Sequence, residues 1–108
     1  MKAVIWVLVN SNNAKEAKFI GDQVLAARLA AGYSLISKSL NKYYWPPQSG
    51  KFETNTGPQL VLETLPKNYL KIVKLIKIIH SDKVPFMGRI RVDGVGMDFY
   101  AWMRGEIK

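Results

Sequence analysis

The chain has 108 residues, a formal net charge of +8 and no cysteine. That length suits a single domain with one core, residues 1–108, and 48% apolar composition argues against disorder. Without cysteine, disulfides, thiolate metal sites, iron–sulfur clusters and cysteine nucleophiles are excluded.

Residues 2–9 read as a strand, because Val4, Ile5, Trp6, Val7, Leu8 and Val9 form a continuous β-favouring run. A run of this kind suits burial on both faces. It is too short to span a membrane or to serve as a signal peptide, and a cytoplasmic setting is expected. Ser11, Asn12 and Asn13 stop it. Asn13 with Glu16 resembles a capping box and opens a helix near Ala14. Ala17, Ile20, Val24, Ala27 and Ala31 carry that helix to about Ala31, where Gly32 is placed to end it. Gly21 lies in the same stripe and suggests close approach to the sheet.

Residues 33–45 read as one long strand and 51–65 as its partner. Pro46, Pro47, Gln48, Ser49 and Gly50 make the turn, and Gly57-Pro58 marks a bend. Pro66 starts a second helix whose stripe is Tyr69, Ile72, Val73, Ile76 and Ile79, with Lys67, Lys71 and Lys74 opposite. Residues 86–92 are a fourth strand, 93–96 a turn and 97–103 a last helix. The order β-α-β-β-α-β with a short C-terminal helix is α+β and ferredoxin-like, with a long hairpin over residues 33–65. Both helices then cover one sheet face, and self-association is the simplest cover for the other.

These residues resemble the CutA family, the divalent-cation tolerance proteins. The run Arg28-Leu29-Ala30-Ala31 matches the end of that family's first helix. Tyr44, Trp45 and Gly50 resemble its tyrosine, tryptophan and glycine turn, and Gly50-Lys51-Phe52-Glu53 its turn exit. His80, Val84 and Pro85 match its histidine box, and Tyr100 and Trp102 its closing aromatics. Gly32 stands where the family has a cysteine, and Asp82 where it usually has tyrosine. The resemblance implies a cytoplasmic homotrimer linked to tolerance of copper and other divalent metals. It also implies an architecture similar to PII signalling proteins.

His80 is the single histidine and the best-matched metal-ligand candidate, with Asp82 and Glu53 as oxygen donors for copper or another divalent cation. Packing or capping at the helix end is the competing use of that ring. Tyr43, Tyr44, Trp45, Tyr100 and Trp102 are candidate subunit anchors. Catalysis is not expected: one histidine leaves few proton-transfer routes, and no nucleophile elbow, P-loop or zinc-protease box is present. The lysines are scattered along the chain, so charge is read as solubility. The expected partner is the chain itself, with neither membrane nor nucleic acid. The alternative is a PII-like module that binds an anionic small molecule between subunits, with Arg28, Arg89, Arg91 or Lys51 lining the cleft.

Overall fold

The computed structural model describes residues 2–108. Strand β1 (Lys2–Asn10) is central in a four-stranded antiparallel sheet. Its neighbours are β5 (Gln59–Thr64) and β6 (Met87–Val95), and β2 (Gly32–Ile36) lies outside β5, giving the order β2-β5-β1-β6. Helices α1 (Ala14–Ala26) and α2 (Tyr69–Ile79) cover one face. This is the ferredoxin-like α+β arrangement expected from the sequence.

Side-chain alternation sets the core. Ile5, Val7 and Val9 of β1 point with Leu60 and Leu62 toward the helices, where they meet Ile20, Val24, Ile72 and Ile76. Each large aliphatic side chain buried there stabilises the fold by about 1.5–3 kcal/mol. The burial of β1 on both faces is only partly realised in the single chain. Trp6 is 40% exposed and its cross-strand partner Ile90 is also exposed, so the second face is open over these residues. At one end that face is closed by α3 (Met97–Glu106), whose Met103 packs with Val4, Leu65 and Ile107.

Several boundaries differ from the sequence expectation. Helix α1 stops at Ala26 and not at Ala31. Arg28 adopts φ +58°, its amide donates to Leu25 O at 2.9 Å, and the Leu29 amide donates to Val24 O at 3.2 Å. That pair of bonds is a Schellman ending with arginine in the usual glycine place. Gly32, expected as the helix stop, is instead the first residue of β2. Gly21 does mark a close approach, and the neighbour is the Tyr33 ring: a Cβ there would lie 2.7 Å from it.

The long hairpin is not continuous with the sheet. β2 ends at Ile36, and a separate two-stranded ribbon follows, β3 (Asn41–Tyr44) paired with β4 (Phe52–Asn55). The breaks at 37–40 and 56–58 lie opposite each other in register, so the ribbon is a separate strand pair and not a continuation of the sheet ladder. Pro66 opens a short 3-10 turn, Pro66–Asn68, ahead of α2. β6 continues to Val95 through most of the expected turn at 93–96, with Gly94 at φ +72° next to a shift in register between Lys2 and Val4. α3 likewise extends beyond Met103 to Glu106.

Candidate functional site

Three segments meet where β1 ends. Asn13 caps α1, its Oδ1 accepting from the Glu16 amide at 2.8 Å. Glu16 returns a bond one residue earlier than a capping box does, with Oε1 accepting from the Asn12 amide at 3.0 Å. Its Oε2 accepts from the Ser81 amide at 3.2 Å and from the Ser81 hydroxyl. Burial pushes the Glu16 carboxyl up, but the Ser81 hydroxyl, the Asn12 and Ser81 amides and the nearby His80 outweigh it and hold it below its ordinary value. One carboxylate thus joins the start of α1 to the segment after α2.

His80 closes α2 and is buried. Its Nδ1 accepts from the Asp82 amide at 3.0 Å, and its Nε2 lies 2.8 Å from Asn10 O. A backbone amide only donates, so the ring proton sits on Nε2 and faces the carbonyl. Both ring nitrogens are in use, which leaves no lone pair for a metal in this arrangement.

The ribbon supplies the opposite wall. Asn41 and Asn55 are cross-strand partners, as are Tyr43 and Glu53. Asn41 Nδ2 donates to Asn55 Oδ1 at 2.9 Å, and Asn55 Nδ2 donates to Asn12 Oδ1 at 3.1 Å. Asn12 Nδ2 in turn donates to Asp82 Oδ1 at 2.9 Å. This amide chain floors a cavity of about 640 Å³ whose lining includes Tyr43, Trp45, Glu53, Asp82, Lys83 and Phe86. The other side of the ribbon carries Tyr44 stacked on Phe52, ring centroids 4.6 Å apart, with Lys42 Nζ 4.7 Å from the Phe52 centroid.

The expected site residues therefore separate. Glu53 and Asp82 reach the same cavity, with Tyr43 and Trp45 beside them. His80 stands behind the lining. Tyr44 points outward from the ribbon at 71% exposure. Tyr100 and Trp102 lie on α3: Tyr100 packs on the second core cluster, and Trp102 rests beside Phe99 with centroids 5.4 Å apart. Among the described residues no group of three or more His, Cys, Asp or Glu could hold a metal ion. The arginines named for an anion cleft are engaged: Arg28 with Glu106, Arg91 with Asp93, and Arg89 over the Tyr69 ring.

Glu16 was legible as a helix-start residue, but sequence reasoning missed the amide chain and the bonds from Ser81 to Glu16. Ser11, Asn12 and Asn13 read as a strand stop, and nothing local tied Asn12 to Asn55. The available signal was the pairing of Asn41 with Asn55, which needs the ribbon register first.

The sheet order, the helices on one face and the protruding ribbon define a ferredoxin-like α+β domain. The family described as "CutA1 divalent ion tolerance protein" matches residues 5–106. The chain belongs to that family. The Escherichia coli divalent-cation tolerance protein CutA is 26% identical over 106 residues, covering 98% of this chain and 92% of the relative. CutA1 from Pyrococcus horikoshii is 27% identical with a TM-score of 0.87, covering 96% of this chain and 98% of that one. An Archaeoglobus fulgidus structure described as a periplasmic divalent cation tolerance protein shares the fold at 19% identity and TM-score 0.88, covering 97% and 99%. No helix among the described residues is long and apolar enough to cross a membrane.

Proposed function

We propose that this protein serves divalent-cation tolerance without catalysis, as a cytoplasmic homotrimer that binds a divalent cation weakly in the cavity under its ribbon. One observation carries the binding reading: Glu53 from the ribbon and Asp82 from the segment after α2 line a single cavity. The remaining donors there are oxygens of amides and hydroxyls, which suit a hard cation that keeps several of its waters. A closed copper site would need nitrogen or sulfur donors, and the His80 nitrogens are already bonded. The fit is therefore to a hydrated, exchangeable ion.

Exposed apolar surface supports the assembly reading. Trp6 and Ile90 on the open sheet face, and Tyr44 and Phe52 on the ribbon, are all exposed in the single chain. Burial of such surface drives association. The number of copies, three, follows the family resemblance.

Titration calorimetry with magnesium, manganese and copper, on the wild type and a Glu53→Gln/Asp82→Asn variant, tests the site. Weak binding of the hard ions, lost in the variant, is expected. Copper binding that survives in that variant and disappears in His80→Ala would sink it. Sedimentation equilibrium tests assembly: the wild type should have three times the chain mass, and Trp45→Ala should dissociate at higher concentration. A stable monomer in dilute buffer would overturn that part.

A further inference from the structure

Four of the twelve lysines fall on one short stretch of helix. On α2 and the 3-10 turn before it, Lys67, Leu70, Lys71, Lys74, Lys77 and Ile78 are all exposed. Their spacing follows the helical repeat, so they form one stripe opposite the buried Ile72 and Ile76. α2 contains no acidic residue. None of these lysines is ion-paired among the described residues.

Two aliphatic side chains sit inside this cationic stripe. Leu70 is 70% exposed and Ile78 is 80% exposed. They stand eight residues apart, about 12 Å along the axis, with Lys71, Lys74 and Lys77 between them. Solubility alone explains the lysines and leaves these two aliphatic groups without a use.

We propose that the outer face of α2 is a docking surface for an anionic phospholipid bilayer. Lysines near such a surface are drawn by its negative potential, and Leu70 and Ile78 would enter the headgroup boundary. Nucleic acid fits this face less well. α2 has no arginine fork, and its one aromatic ring, Tyr69, is covered by the Arg89 guanidinium, 4.8 Å from the ring centroid. This reading departs from the sequence expectation that no membrane would be a partner. The surface lies on the helical layer and uses no residue of the cavity, so it stands or fails independently of cation binding.

The test is co-sedimentation of the full chain with vesicles of phosphatidylglycerol and phosphatidylcholine, against vesicles of phosphatidylcholine alone. Binding to the anionic vesicles only, weakened by added salt, is expected. Lys71→Glu/Lys74→Glu should lower the partition coefficient about tenfold or more. Leu70→Ser/Ile78→Ser should lower it by a smaller factor, with circular dichroism unchanged in both variants. Equal binding to neutral vesicles, no binding to anionic ones, or full binding by the charge-reversed variant would overturn the proposal. So would binding to polyuridylate, removed by the same charge reversal, in the absence of vesicle binding.

Discussion

A Cβ atom on Gly57 would stand 1.7 Å from the carbonyl oxygen of Ser11. The ribbon re-enters the sheet at this point by passing directly against the end of β1. Ser11 is buried and its hydroxyl donates to Pro58 O at 2.8 Å, while Asn41 Nδ2 donates to Gly57 O at 2.9 Å. The obstructing atoms are backbone, which cannot rotate aside as a side chain can. Gly57→Ala should therefore cost about 3 kcal/mol, at the upper end of overpacking effects. Urea denaturation should show it as a lower midpoint. Because the same contact holds the ribbon over the cavity, Trp45 should also become more exposed to fluorescence quenchers. An unchanged midpoint would mean that the chain passes Ser11 at a greater distance.

Glu16 makes stability depend on acid. Its folded-state carboxyl is held below its ordinary value, so it binds its proton less readily folded than unfolded. Its contribution is fully present above the unfolded value, about 4.3, and is lost as pH falls through the depressed folded value. Glu16→Gln keeps one acceptor and loses the charge. The variant should be less stable than wild type by about 1 kcal/mol near neutrality, the scale of a lost cap or hydrogen bond. The two stability curves should draw together below about pH 4, as the wild-type carboxyl becomes protonated. Parallel curves across that range would show that the bonds from Ser81 do not depend on the charge.

The main architecture was legible because it rests on periodicity. The run Val4–Val9, the stripes through Ile20 and Ile72, and the turn residues near Gly50 each specify one element, and their order leaves few topologies. Element ends were less legible. An arginine at φ +58° ends α1, and no propensity favours that residue there. The bend at Gly57-Pro58 was legible, and the strands do break there, but the contact with Ser11 that requires the glycine is tertiary and not displayed locally. The cavity was half legible. Glu53 and Asp82 could be named by chemistry, but the amide chain from Asn41 to Asp82 joins four segments and exists only once the register is fixed. His80 was named for its metal-binding chemistry, and the structure shows the competing use of that ring at a helix end.

Arg28 offers a clean separation of backbone and side-chain effects. Its left-handed conformation costs about 1 kcal/mol relative to glycine. Against that, its Nη1 donates to Glu106 O at 2.9 Å and to Glu106 Oε2 at 3.2 Å, joining the end of α1 to the end of α3. An exposed pair of this kind contributes at most about 1 kcal/mol. Arg28→Gly should then be close to neutral, since the two changes offset. Arg28→Ala keeps the strain and loses the bonds, and should be less stable than Arg28→Gly by about 1 kcal/mol. Thermal denaturation of the three proteins gives the order directly. Equal stability of the alanine and glycine variants would show that the positive φ carries no cost here.

Gly21 and Tyr33 form a pair in which the effect of Gly21→Ala should change sign when the Tyr33 ring is removed. Glycine inside α1 costs about 1 kcal/mol relative to alanine in helix propensity. A Cβ at Gly21, however, would lie 2.7 Å from the Tyr33 ring, whose hydroxyl donates to Asp22 Oδ1 at 2.8 Å and so fixes where the ring can sit. Gly21→Ala in the wild type should therefore destabilise by about 1–2 kcal/mol, as the overpacking exceeds the helical gain. In a Tyr33→Ala background the ring is gone, and the same substitution should stabilise by up to about 1 kcal/mol. A double-mutant cycle from urea midpoints isolates the term. A coupling near zero would mean that the ring moves aside freely, and the glycine would then need another explanation.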